Sequence, residues 1–230
     1  MIVDLFVGTL TRYYSEQWQN SRTRGGADSP FNTPKDPNAV NDPVELQGIV
    51  TQWREDASNK LKEHLSEPLA WQEGMLPPYQ VGDVGFHGYG GVILLTAYTS
   101  TGLLPRPADF QKTWNGDPAF DAMMKEPKKN TLWEIINCSL WLPASFQFGI
   151  GMKDPSGQPS RAGSIDVLWK ALEHLNESNW KASPEHIAGW RAHTLEETVS
   201  FETQTQYGFA VFYDMCKLAR DSRSPMKLHY

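Results

Sequence analysis

The chain is short of the residues that make familiar catalytic and metal chemistry. Only two of its 230 residues are cysteine, Cys138 and Cys216, and no C-x-x-C pair occurs. A disulfide framework is therefore not implied, and buried free thiols in a reducing compartment are the expectation. None of the six histidines forms an H-x-x-x-H or H-E-x-x-H pair. His186 and His193 are seven residues apart, about two helical turns, too far to share an ion directly. No metal is expected. G-x-G-x-x-G, Walker and G-x-S-x-G motifs are missing too, so no cofactor is expected. The apolar run Val92-Ile93-Leu94-Leu95 is far short of the ~20 residues that cross a bilayer. The opening Met1-Ile-Val-Asp-Leu-Phe-Val lacks the basic start of a signal peptide, and Asp4 breaks its apolar stretch. These absences predict a cytoplasmic protein without membrane contact.

What the chain has in quantity is aromatic residues and negative charge. Nine Trp, ten Phe and eight Tyr supply large rings for a core or an interface. Net charge is −6, unevenly placed. Residues 42–83 hold eight acids against three bases, a net −5, and residues 173–202 hold six against two, a net −4. Residues 203–230 reverse this, with two acids against four bases, a net +2. Such a balance argues against nucleic acid, whose binding is driven by phosphate neutralisation. It suits a basic protein partner, through steering and complementarity. Solvated helix faces would leave the same trace.

The patterning predicts an α+β fold, a single domain over residues 1–230. Its expected architecture is a small antiparallel sheet, the N-terminal strand plus a central three-stranded meander, packed with about six helices. Val3, Leu5 and Val7 alternate in the first strand, which Gly8-Thr9 ends. Thr11–Asn20 reads as a short helix or turn. Residues 21–41, rich in Gly, Pro, Ser and Asn, read as a flexible loop. Asp42-Pro43 opens the clearest helix, whose Leu46, Val50, Trp53, Ala57, Leu61 and Leu65 form one stripe. Asp117-Pro118 and Ser183-Pro184 repeat the same opening device. Residues 66–91 read as irregular, with an apolar helix from about 91. Ile136, Cys138, Leu140 and Leu142 alternate, as do Phe146, Phe148, Ile150 and Met152, which predicts an antiparallel hairpin. Asp154-Pro-Ser-Gly157 should return a third strand through about 158–163. Ser164 then caps a helix, and a long helix spans about 196–222. The alternation of Met226, Leu228 and Tyr230 predicts that the tail docks as a last strand.

Two clusters are the candidate binding residues. Arg12, Tyr13 and Tyr14, with Trp18 nearby, follow the first strand, where loops held by a rigid scaffold often carry function. A cation beside two phenols can grip a carboxylate, a phosphate or an acidic side chain. The same residues can instead simply pack, with Arg12 stacked on a ring. Phe86, His87 and Tyr89 would sit at the mouth of the glycine-rich Gly88–Gly91 turn, before a helix N-terminus able to hold an anion. Those glycines can equally serve close helix packing. No catalytic residue is singled out.

Three segments carry a resemblance. Asp4-Leu-Phe-Val-Gly-Thr-Leu-Thr-Arg-Tyr-Tyr14, Ser164-Ile-Asp-Val-Leu-Trp-Lys-Ala-Leu-Glu-His-Leu-Asn-Glu-Ser-Asn-Trp180 and the stretch from Tyr207 to Ser-Pro-Met-Lys-Leu-His-Tyr230 resemble a family of uncharacterised bacterial proteins. The resemblance implies a bacterial cytosolic protein and carries over no active-site residue. The acidic charge, the missing catalytic motifs, the plentiful aromatics and the long loop point to an immunity-type protein that neutralises a toxin by direct binding, with a basic toxin domain as the candidate partner. One alternative is a small-molecule enzyme or sensor, which requires the two clusters to converge. Another is a homo-oligomeric structural subunit that spends its aromatics on self-association.

Overall fold

The computed structural model describes residues 3–21, 42–109, 113–126, 132–192 and 200–230. Of the predicted loop at 21–41, only Ser21 is among them. The first strand, β1 (Asp4–Val7), is followed by α1 (Leu10–Tyr14), α2 (Pro43–Leu61) and β2 (Gln80–Asp83). Next come α3 (Gly85–Thr101), α4 (Pro118–Lys125), α5 (Trp133–Asn137), β3 (Leu140–Leu142), β4 (Ile150–Lys153) and β5 (Pro159–Ser164). The chain continues through α6 (Ile165–Asn179), α7 (Pro184–Trp190), α8 (Phe201–Asp221) and β6 (Met226–His229). The class is α+β, as the patterning predicts.

The sheet is neither small nor purely antiparallel. Its six strands run in the order β2-β1-β6-β3-β5-β4, and β3 pairs with β5 in parallel. The predicted hairpin between 134–142 and 146–152 does not form. Residues 133–137 are the helix α5, and β5 lies between β3 and β4. The period misled because helices cover both sides of the sheet. Leu140, Trp141 and Leu142 are all buried, so β3 has no polar alternation to read. The turn at Asp154–Gly157 does return the chain into β5, antiparallel to β4. Residues 226–229 dock as a strand, and they do so in mid-sheet between β1 and β3.

One side of the sheet carries α3, α6 and α8. Val3, Leu5 and Val7 meet Trp141, Met226, Leu228 and the helix residues Phe209, Val211 and Phe212 in the largest core. The other side carries α1 and α2, where Val50, Ala57 and Leu61 pack on Leu140, Leu142, Ala162 and Leu10. Each such side chain contributes about 1.5–3 kcal/mol on burial. Asp42 caps α2, accepting from Val44 N at 3.0 Å, and Asp117, Ser164 and Ser183 cap their helices in the same way.

Two stretches read as irregular are ordered. Gln80–Asp83 is β2, which offers little alternation because Gly82 faces α8. A Cβ there would lie 2.8 Å from both Met215 and Val211. The helix expected from about 91 starts at Gly85, so Gly88–Gly91 lie inside α3 rather than before it. They make room for α8: a Cβ on Gly208 would meet Gly88 O at 2.2 Å, and one on Gly91 would meet Thr205 Oγ1 at 2.6 Å. The long last helix is seen from Phe201, and residues 196–199 lie outside the described part. Among the described residues, no helix is long and apolar enough to cross a membrane.

Candidate functional site

The chain leaves β1 through Gly8 and turns at once into α1. Thr9 caps this short helix, its Oγ1 accepting from Arg12 N at 3.2 Å. A second cap comes from far along the chain. Glu73 accepts from Leu10 N at 3.1 Å, from Thr11 N at 2.9 Å and from Thr11 Oγ1 at 2.7 Å. An acid at a helix N-terminus satisfies donors that would otherwise be orphaned. This arrangement lays Arg12, Tyr13, Tyr14 and Trp18 over the sheet face that Phe6 and His229 occupy.

The four residues do different work there. The Tyr13 ring packs edge-on to Phe6 at 5.3 Å, and its hydroxyl lies 3.1 Å from His229 Nδ1. Trp18 stacks on Tyr13 and donates from Nε1 to Tyr13 O at 3.1 Å. Tyr14 donates to Asp154 Oδ2 at 2.8 Å. Asp154 Oδ1 meanwhile accepts from Ser156 N, Ser156 Oγ and Gln158 N, holding the β4–β5 turn. Lys227 Nζ stands 3.7 Å from Asp154 Oδ2, and both side chains are buried. Burial pulls the lysine pKa below its ordinary value, against the opposing pull of Asp154. Burial, and next the charge of Asp154, push both tyrosine hydroxyls far above the usual tyrosine range. Both remain neutral phenols, and Tyr14 is a donor. The network ties α1, the β4–β5 turn and β6 together.

Arg12 points the other way, into the 72–79 loop. It stacks 4.9 Å from the Tyr79 ring centroid and donates to Met75 O and, at 3.5 Å, to Pro77 O. Thr9 Oγ1 donates to Gly74 O at 2.7 Å, and Tyr79 stacks on Phe6. The loop is thus fixed at residues 73, 74, 75, 77 and 79. Leu76, in the middle, is 96% exposed.

Phe86, His87 and Tyr89 stand in the first turns of α3 on the opposite side of the sheet. Phe86 packs on Trp114 at 5.4 Å, and Tyr89 stacks on Phe212 at 6.2 Å. Phe86 and His87 are 5.8 Å apart. Phe86 and Tyr89 pack against the core on the α3 and α8 side of the sheet, and Tyr14 against the core on the α1 and α2 side.

Tyr89 does border a shallow cleft of about 340 Å³, with Cys138, Ser139, Ser160, Arg161 and Tyr230. Its floor is polar: Cys138 Sγ lies 3.5 Å from Glu134 Oε2, and Ser139 Oγ lies 3.2 Å from Ser160 Oγ. Burial, then the charge of Glu134, push the Cys138 thiol up, so it is held as a thiol rather than a nucleophilic thiolate. Sequence reasoning missed Glu134 and Arg161. Their only signal was a charged residue within or beside an apolar run, and many surface residues give that.

A third region lies on α2. Asp42, Glu45, Glu55, Asp56, Glu63 and Glu67 are exposed. Of the nearby bases, Arg54 is half-buried and donates to Trp71 O at 2.6 Å, while Lys60, exposed, reaches Gly151 O at 2.9 Å and Lys62 is exposed as well. Glu55, Glu67, Lys62 and Leu65 line an open groove of about 530 Å³. Among the described residues, no group of three or more His, Cys, Asp or Glu is placed to hold a metal ion. Comparisons with protein-family models, with curated proteins and with solved structures find no match for this chain.

Proposed function

We propose that the chain is a cytoplasmic, immunity-type protein that neutralises a bacterial toxin by binding a basic surface of it. One observation carries the reading: the excess of exposed acids on α2 and the segment after it. Asp42, Glu45, Glu55, Asp56, Glu63 and Glu67 all project into solvent, against the exposed bases Lys60 and Lys62, so this face carries a net negative charge. Such a face speeds the capture of a positively charged partner and selects against acidic ones.

The test is co-expression with the product of the adjacent gene, followed by calorimetry on the purified pair. A complex is expected whose affinity falls with salt. Reversal of Glu55→Lys together with Asp56→Lys should slow association severalfold. The reading is wrong if the wild-type protein neither binds that product nor protects cells that express it.

A further inference from the structure

We propose that Leu76, together with Val44, is the apolar anchor of that interaction, docking in an apolar pocket rimmed by basic residues on the toxin. This rests on the function proposed above.

Leu76 is 96% exposed and Val44 is 78% exposed. The two belong to one region. Gly74 lies against Gln47 of α2, whose Oε1 is 3.2 Å from the position of a Gly74 Cβ. Val44 is one turn back from Gln47 on the same helix face. Isolated exposed leucines are common on protein surfaces, but this one is not on a loose loop. Glu73 is held by α1 donors, Gly74 O by Thr9, Met75 O and Pro77 O by Arg12, and Tyr79 by Phe6 and Arg12. Every fastening on either side of Leu76 is directed inward, and its own side chain is directed out.

An apolar group presented on a fixed stem loses little freedom when it docks, and preorganisation of this kind is what makes an interface anchor strong. The partner's chemistry follows from the rim. Asp42 and Glu45 flank Val44 and are exposed, so the matching pocket is apolar within and basic at its edge. The Arg12–Tyr14 segment then acts through the loop: Arg12 is a positioning residue for Leu76 and makes no contact with the partner itself.

The experiment measures binding of the adjacent gene's product to the wild-type protein and to Leu76→Asp, Leu76→Met and Val44→Asp variants. Circular dichroism and urea melts verify the fold, which an exposed side chain should leave intact. Leu76→Asp is expected to weaken binding by roughly thirtyfold or more, Val44→Asp by roughly tenfold, and Leu76→Met by less than about threefold. Wild-type affinity for Leu76→Asp overturns this anchor and leaves the function above standing. Failure of the wild-type protein to bind overturns both. Light scattering covers the remaining occupant: if Leu76→Asp converts an oligomer into a monomer, the surface is a self-contact and the proposal is overturned.

Discussion

The hydroxyl of Tyr14 donates to Asp154 Oδ2 at 2.8 Å, joining the first helix to a turn 140 residues away in the chain. The acceptor is a buried carboxylate whose nearest cation, Lys227, stands at 3.7 Å. Tyr14→Phe keeps the ring and removes only the donor. It should cost roughly 1.5–3 kcal/mol, the worth of a hydrogen bond to a charged group. Asp154→Asn should cost more, about 3–5 kcal/mol, because it also strands the Lys227 charge. Urea denaturation of the two single variants and the double variant measures the coupling. Additive effects would show that the two groups do not interact.

One substitution, glycine to alanine, has opposite expected outcomes at two sites, one at the contact between α3 and α8 and one on α2. At Gly208 an added methyl would lie 2.2 Å from Gly88 O, an atom of the backbone that cannot swing aside. Gly208→Ala should destabilise by at least ~3 kcal/mol, or abolish folding, because the helices must part. At Gly48, inside α2, nothing lies within 4 Å of the new methyl. Gly48→Ala should stabilise by roughly 0.5–1 kcal/mol through helix propensity alone. Thermal or urea melts of the pair decide the matter, and equal effects would refute the packing argument.

His229 sets an acid limit. Burial lowers its pKa below the ordinary 6.5, and this outweighs the opposing pull of Asp4; Lys227 lowers it further and Glu16 raises it. The folded state therefore binds its proton less readily than the unfolded chain. Between the lowered pKa and 6.5 the unfolded chain carries more protons, so stability rises with pH there and falls on acidification. Stability measured from pH 7 down to pH 5 should drop more steeply for the wild type than for His229→Gln. Parallel profiles would assign the acid sensitivity to other groups.

The helices were more legible in the sequence than the sheet. Asp-Pro and Ser-Pro openings announce α2, α4 and α7, because a side-chain cap and a fixed φ are local properties. Ser164 announces α6 for the same reason. Strand pairing is not local. Nothing within Leu140–Leu142 says that its neighbours are β5 and β6, and coverage on both sides removed the period that would have shown it as a strand. The glycines at 88 and 91 could be read as a loop or as a packing surface, and only their neighbours on α8 distinguish the two. At the candidate sites, Arg12, Tyr13 and Tyr14 were visible as a cluster, but not their partners. Asp154 and His229, which meet Tyr14 and Tyr13, are 140 and 216 residues away in sequence, and Glu73, which caps their helix at Leu10, is 63 away. Leu76 carries no sequence signal at all, since an exposed leucine and a buried one are written alike.

The placement of β6 has a consequence for how the molecule is made. The sheet order leaves β2 and β1 as one half and β3, β5 and β4 as the other, with β6 as the seam between them. Of the described strands it is also the last to be synthesised. Until Met226–His229 emerge, the two half-sheets have their inner edges open, and Asp154 lacks the cation that neutralises it. A nascent or proteolytically shortened chain is thus two unsealed pieces, and closure comes as a single late event that brings charge neutrality and sheet continuity at once.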